Sequence, residues 1–318
     1  MSGPAPAESW RGNSRARRLG YALLPGDAFS YVLHLRPREW PIMTAHTALG
    51  VLLALFMGDA PIGARPETVV AGALAVAVWV VLLNGGTLAL NSAFDRDEGD
   101  IGYLDAPPPP PRRLAAFGVG LMVAGQAIAL ALPRTFALLY GICFIMSVLY
   151  SVPPVRLKAV AGADWLINVV GFGMLTPLAG WAATGRPLEP AALWIFAGFG
   201  ALFAALYPLT QLYQFDEDRS RGDRTLAIVI GVRASLVVAL VAAVAAFAGF
   251  AAGIWAVDPA PRRLLALVPA LAAWVVVLGR WLARYERMDR AAHKRGMYAA
   301  LAAWAVTDAA ILAAVWRW

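Results

Sequence analysis

The chain has 318 residues, 60% of them hydrophobic and 15% charged, with a formal net charge of +7. A chain so apolar is not a water-facing globule and falls in the membrane class. Its basic balance does not point to nucleic acid, because no basic stretch is interleaved with aromatics as a strand-binding groove would be.

In chain order, residues 1–30 mix Gly, Pro, Ser and Arg without periodicity and read as a basic, flexible tail at the membrane surface. No cleavable apolar core precedes Trp40, so no secretory signal is expected. Residues 31–318 read as one transmembrane domain. Apolar runs recur at 40–58, 67–94, 112–132, 135–152, 165–184, 190–213, 234–257, 264–283 and 297–316. Several approach the length that crosses a hydrocarbon core of ~30 Å. The expectation is an all-α membrane protein, a bundle of about nine transmembrane helices around a cavity.

With the N-terminus inside and sides alternating, inner segments carry 21 of the 27 Lys and Arg and outer segments carry 6. This asymmetry places the N-terminus and the cavity mouth in the cytoplasm. The one cysteine, Cys143, sits mid-run, which leaves no disulfide framework or thiol cluster. His34 and His46 are not at metal-ligand spacing from a second strong ligand and read as structural. Asp308, inside the last run, has no partner evident in the sequence.

The stretch Asn91 to Asp100, N-S-A-F-D-R-D-E-G-D, closes the second run. Asn91 and Asp95 are four residues apart and share a helical face, and Glu98 falls there too. Asp97 points away, and Asp100 lies past Gly99, a helix end. Four acids this close repel one another. Mg²⁺, which prefers carboxylate and phosphate oxygens, relieves that repulsion. Pro107 to Pro111 then form a stiff extended run. The fourth run ends in Tyr150-Ser151-Val152-Pro153-Pro154, followed by the cations Arg156 and Lys158.

A second polar cluster closes the sixth run: Gln211, Gln214 and Asp218 share a helical face, with Glu217 at its edge. Arg219, Arg221 and Arg224 follow. Two acidic helix ends on one side of the membrane, with cations between them and apolar helices below, suit a substrate with a diphosphate head and a hydrocarbon tail. Carboxylates hold Mg²⁺ against the diphosphate, Arg and Lys take the remaining charge, and an allylic C–O bond ionises. Tyr150, Tyr207 and Tyr213 are placed to shield a carbocation, worth ~2 kcal/mol when desolvated.

These clusters resemble the two Asp-rich motifs of the UbiA-type membrane prenyltransferases. Asn91 and Asp95 match the first two positions of Asn-x-x-x-Asp-x-x-x-Asp. Asp218, Arg219, Gly222, Thr225 and Leu226 match Asp-Arg-x-x-Gly-x-x-Thr-Leu. Tyr150-Ser151-x-Pro153-Pro154-x-x-x-Lys158 and Arg36-Pro37 match as well. The sequence departs from the pattern twice: Gly99 holds the third position of the first motif, so that Asp100 or Glu98 must complete it, and Gln214 stands where the second motif opens with an acid.

The resemblance implies that residues 31–318 are a prenyltransferase domain using Mg²⁺. It transfers an isoprenyl group from a prenyl diphosphate to an aromatic, quinone-precursor or other lipophilic acceptor within the bilayer. It implies Asp95 and Asp218 as catalytic residues. It makes Asn91, Asp95, Asp100, Gln214 and Asp218 the metal and diphosphate ligands, with Arg36, Lys158 and Arg219 neutralising phosphate. Two other readings stand beside it. Arg36-Pro37-Arg38-x-Trp40 is similar to membrane phosphoribosyltransferases of the same fold. A non-catalytic lipid-binding or transport protein would use the polar and Gly/Pro breaks within the spans.

Overall fold

The computed structural model describes residues 14–57, 65–95, 101–102, 104–220 and 222–316, the side chains of Glu217 and Ser220 excepted. Among these residues there is no strand, only the isolated bridges Ile101–Leu104 and Val160–Arg224. Two short helices come first, α1 (Arg15–Leu23) and α2 (Ala28–His34). The apolar helices follow: α3 (Trp40–Phe56), α4 (Pro66–Asp95), α5 (Leu114–Ala129), α6 (Arg134–Ser151), α7 (Ala163–Ala182) and α8 (Pro190–Gln211). A single turn leads into the short α9 (Phe215–Ser220), and α10 (Leu226–Val257), α11 (Pro261–Leu282) and α12 (Arg290–Val315) complete the bundle.

Each apolar run carries a helix, but not all are of spanning length. Seven helices are long and apolar enough to cross a membrane, while α3 and α5 fall in the shorter class of 10–17 residues. The proline run holds α5 back to Leu114, since proline lacks the N–H and the freedom in φ that a helix interior needs. In α10 the chain breaks at Gly231, whose φ of 80° is a left-handed conformation that a side chain would oppose.

Two long helices contain wide π turns, Val78–Asn84 in α4 and Val169–Leu175 in α7. Such turns shift the register of the side chains beyond them and recur at functional sites. Here they face each other: Thr176 accepts a 3.3 Å hydrogen bond from Trp79 Nε1 and donates to the carbonyl of Gly171, five residues back.

Inside a membrane the helices gain little from leaving lipid, so close packing of small residues carries their association. On α3 and α7, Gly50 and Gly180 let the two backbones touch: a Cβ at either would enter the partner helix's backbone, at Pro177 or at Thr47. On α8 and α10, Gly198, Gly249 and Gly253 do the same. Between these contacts lie fully buried rings, among them Phe196, Phe199, Phe250 and Trp274. Asp308 does have a partner, His46, 3.7 Å away, and the His46 ring lies edge-on to Phe199 and Trp304. At the opposite end from Asp95, Arg186 donates to the carbonyls of Ala54 and Met57 and so terminates α3.

The stretch read as a flexible tail folds, from residue 14 onward, against the polar end of the bundle. Sequence periodicity did not show this because the two helices are short and their contacts are distant in the chain. Arg17 is buried and donates to the carbonyls of Asp105 and Ala106. The Phe29 ring packs where Gly20 has no side chain. Asp105 takes Arg38 at 3.1 Å and Lys294 at 3.2 Å, and His34 Nε2 donates to the Pro108 carbonyl at 3.1 Å. The loop that follows the first acidic cluster is therefore fastened to α2 and α12.

His34 is 1% exposed, and its Nδ1 has no hydrogen bond, which fits a neutral ring. Burial, reinforced by the Arg36 charge, lowers its pKa from 6.5 to about 4. Below pH 6.5 the unfolded chain takes up a proton that the folded chain refuses, so stability falls as pH drops towards 4. The expected loss is about 3 kcal/mol over that window. Thermal midpoints of detergent-purified protein across pH 4 to 7 check this: His34→Gln should show a shallower acid slope than the unsubstituted chain.

Candidate active site

Four chain segments meet at the polar end of the bundle. Asn91 and Asp95 end α4, and Arg36 precedes α3. The loop after α6 presents Arg156 and Lys158, because Pro153 and Pro154 cannot continue that helix. The turn after α8 presents Gln214, α9 presents Asp218, and the next loop adds Asp223 and Thr225. The Arg224 N–H donates to the Ala159 carbonyl at 3.2 Å, which joins the two loops.

Arg36 (φ 51°) and Arg156 (φ 36°) are two of the three non-glycine residues with positive φ among those described. Such backbone costs of order 1–3 kcal/mol per residue and persists where surrounding contacts over-determine it. Both arginines lie at this site.

Asp95 anchors the electrostatics. Its side chain is 2% exposed and pairs with Lys158 and, at 3.4 Å, with Arg156. Arg156 also grips both oxygens of Asp223. Burial alone would lower the Arg156 pKa, but Asp223 and Asp95 together raise it. Lys158 Nζ donates to Asn91 Oδ1 at 3.3 Å as well. The ammonium and guanidinium thus neutralise the acids from the loop side.

These residues open onto one cavity of about 310 Å³. Asn91, Asp95, Gln214, Asp218, Arg36 and Lys158 all line it. Arg219 does not: it is exposed, with its guanidinium 5.4 Å from the Phe215 ring centre. Asp97, Glu98 and Asp100 lie outside the described residues, as does the Glu217 side chain. Gln211, on the face expected for the second cluster, is structural. It donates to Asp164 at 2.6 Å and accepts from the Ala227 N–H at 3.1 Å, while Asp164 caps α10 through the Leu226 N–H.

Sequence reading left Arg156, Asp223, Glu39 and Asn84 out of the site. Arg156 gave one signal, its place between the two prolines and Lys158. Asn84 gave another, its place seven residues before Asn91 on one helical face, while Asp223 and Glu39 needed the tertiary arrangement. Glu39 lines the cavity, and burial pushes its carboxyl up while Arg36 and the Asn84 amide pull it back.

Among the described residues no group of three or more His, Cys, Asp or Glu side chains is placed to hold a metal ion. Of the ligands expected from the sequence, the wall offers two carboxylates, Asp95 and Asp218, and two amides, Asn91 and Gln214. This all-oxygen set fits a hard divalent cation whose remaining ligands come from an anion. Arg36 Nε and Thr225 Oγ1 are buried at the same end without hydrogen bonds, donors left over for that anion. Deeper in, the wall turns apolar and aromatic. Tyr150, Tyr207 and Tyr213 all line the cavity, the first two joined by a 2.9 Å hydroxyl contact. The far end is closed by His46, Thr176 and Trp304.

A family model described as "UbiA prenyltransferase family" matches residues 47–305. The chain is 30% identical over 248 residues to a digeranylgeranylglyceryl phosphate synthase of Natronomonas pharaonis, covering 74% of this chain and 84% of that one. It is 27% identical over 252 residues to a protein of the same name from Halobacterium salinarum, covering 76% and 84%. Its fold is similar to that of a UbiA homolog from Archaeoglobus fulgidus bound to GPP and Mg²⁺, with a TM-score of 0.65, 19% identity and coverage of 87% and 99%.

Proposed function

This chain belongs to the UbiA prenyltransferase family, and from that premise we propose that it transfers an isoprenyl group from a prenyl diphosphate to a lipophilic acceptor, using Mg²⁺. The carrying observation is the single cavity with Asn91, Asp95, Gln214, Asp218, Arg36 and Lys158 at its polar mouth and an apolar, aromatic interior. The mouth suits a diphosphate and the interior a hydrocarbon tail. The Lys and Arg asymmetry between loops further supports a mouth that opens to the cytoplasm.

Asp95 and Asp218, with the amides of Asn91 and Gln214, would hold Mg²⁺ at the mouth; Asp100, the further ligand expected from the sequence, lies outside the described residues. The chemistry bound Mg²⁺ supplies is charge neutralisation of the departing diphosphate. Arg36 and Thr225 would donate to phosphate oxygens, and Lys158, beside Asp95 and Asn91, would supply positive charge to the diphosphate. The allylic C–O bond then breaks with its electron pair passing to the diphosphate. Tyr150, Tyr207 and Tyr213 face the carbon that becomes electron-poor. An acceptor lone pair or π pair forms the new bond, and the acceptor loses a proton.

The phosphoribosyl reading loses part of its basis. Arg38 is spent on Asp105 at the surface, and Trp40 donates to the Leu35 carbonyl at 3.1 Å. The test uses detergent-purified protein, Mg²⁺ and a series of prenyl diphosphates of increasing length, with and without a membrane-extracted lipid pool. Mg²⁺-dependent diphosphate release that rises with the pool is expected. No release from any prenyl donor, with release from phosphoribosyl diphosphate, overturns the reading.

A further inference from the structure

The first helix, α1, has two faces of opposite character. Arg17, Gly20 and Tyr21 turn towards the bundle. Arg17 is buried and donates to the carbonyls of Asp105 and Ala106, Gly20 receives the Phe29 ring, and the Tyr21 hydroxyl lies 2.9 Å from Ser30 Oγ. Ala16, Leu19 and Leu23 share the other face by their spacing of three, four and seven residues, and Leu19 and Leu23 are 60% and 71% exposed. Arg15, one turn before Leu19, is exposed beside them, as is Arg18. The helix holds three arginines in its first turn and no acid. Positive charge at a helix start opposes the helix dipole, so these arginines do not serve the helix itself.

The level at which α1 lies follows from α2, against which it packs. Tyr31 meets Phe117, in the first turn of α5, edge-on at 5.1 Å, and Leu35 packs with Ala89 and Leu114. These contacts lie where α4 and α5 reach the polar end of the bundle. For spans of this length that end is the headgroup layer.

We propose that α1 docks on an anionic lipid surface: Leu19 and Leu23 enter the acyl boundary of the leaflet at the polar end of the bundle, and Arg15 and Arg18 meet its negative headgroups. An apolar face edged by arginine is the pattern of a helix lying in the interface. The excess of Lys and Arg in the loops at this end matches a negative surface. Docking reaches the loop that follows the first acidic cluster. Ala106, whose carbonyl accepts from Arg17 Nη1 at 2.8 Å, has a φ of 43°, a left-handed backbone that persists where neighbours hold it. A docked α1 keeps Arg17 on these carbonyls and steadies the loop. None of this depends on the prenyl-transfer reading, because docking needs no turnover.

The experiment uses the full chain with Cys143→Ala and Ala16→Cys, labelled at residue 16 with an environment-sensitive fluorophore. Cys143 is the only natural cysteine, so the label is confined to α1. The protein is placed in nanodiscs of phosphatidylcholine alone or mixed with phosphatidylglycerol. The mixed lipid is expected to raise and blue-shift the emission, and added salt to diminish the difference. Arg15→Gln should lower the ratio of docked to undocked helix about fivefold. Leu19→Ser combined with Leu23→Ser should lower it at least about tenfold. Hydrogen exchange of the unlabelled chain in the same nanodiscs is read at residues 104–106. Anionic lipid should slow it, and the two serine substitutions should restore the rate seen in phosphatidylcholine.

Emission that is the same in both lipids, or that is unmoved by Arg15→Gln and by the serine substitutions, overturns the docking. Burial of the label in detergent that grows with protein concentration marks the leucine face as a contact between two copies and overturns it as well. Lipid-dependent emission with unchanged exchange at 104–106 overturns the link to the loop.

Discussion

Asp95→Ala and Asp218→Ala are each expected to abolish measurable Mg²⁺-dependent diphosphate release, a fall of roughly a thousandfold or more. Both carboxylates face the cavity mouth, and they are the two acids among the described residues that come from the two clusters to one wall. Losing an outer partner of a metal ligand already costs about 10–100-fold, and losing the ligand itself exceeds that. Asp95→Ala also removes the counter-charge that holds Lys158 and Arg156, so it disturbs two cations together. The measurement is release of diphosphate from a prenyl donor against Mg²⁺ concentration. Asp95→Asn keeps the size and an oxygen donor but loses the same counter-charge, and should lose activity as well. Full activity in either alanine variant would sink the assignment of the mouth as the diphosphate site.

Lys158→Ala should lower kcat/KM for the prenyl diphosphate by roughly 10²–10³-fold, whereas Arg219→Ala should change it by less than about twofold. The sequence pattern treats the two cations alike. In the structure Lys158 is 10% exposed and in contact with Asp95 and Asn91 at the mouth, while Arg219 is exposed over Phe215. A cation in a water-poor site acts on a developing charge far more strongly than one screened by solvent. Steady-state kinetics of the two variants side by side decide the point. An Arg219→Ala loss as large as that of Lys158→Ala would show that α9 swings the arginine into the mouth when donor binds.

Much of this site was legible in the chain. Four-residue spacing put Asn91 and Asp95 on one helical face, and both line the cavity. The prolines after Tyr150 announced the loop that delivers Lys158. Such signals are local, being periodicity, helix breaks and charge spacing within a turn or two. Other expectations failed where a local rule met a distant contact. Arg219 follows Asp218 in the motif as a phosphate-neutralising cation, but it lies exposed over Phe215 and does not line the cavity. Arg17 sits in an aperiodic basic stretch and is buried because the carbonyls of Asp105 and Ala106 accept from it.

The sequence by itself determined the solvent and the class of the fold. Long uncharged runs must satisfy their backbone hydrogen bonds internally, and helices do so wherever those runs lie. It also put Asn91, Asp95, Asp218 and Lys158 among the candidates for the mouth, and all four line the cavity. Only the tertiary structure decided which of them meet. Glu39 stands just before α3 and Asn84 within α4, and nothing in the spacing of either predicts the other. Their meeting depends on how α3 and α4 pack, with α4 re-registered by its π turn. Helix packing is set by close contacts such as Gly50 against Pro177, which a linear pattern of apolar residues does not encode.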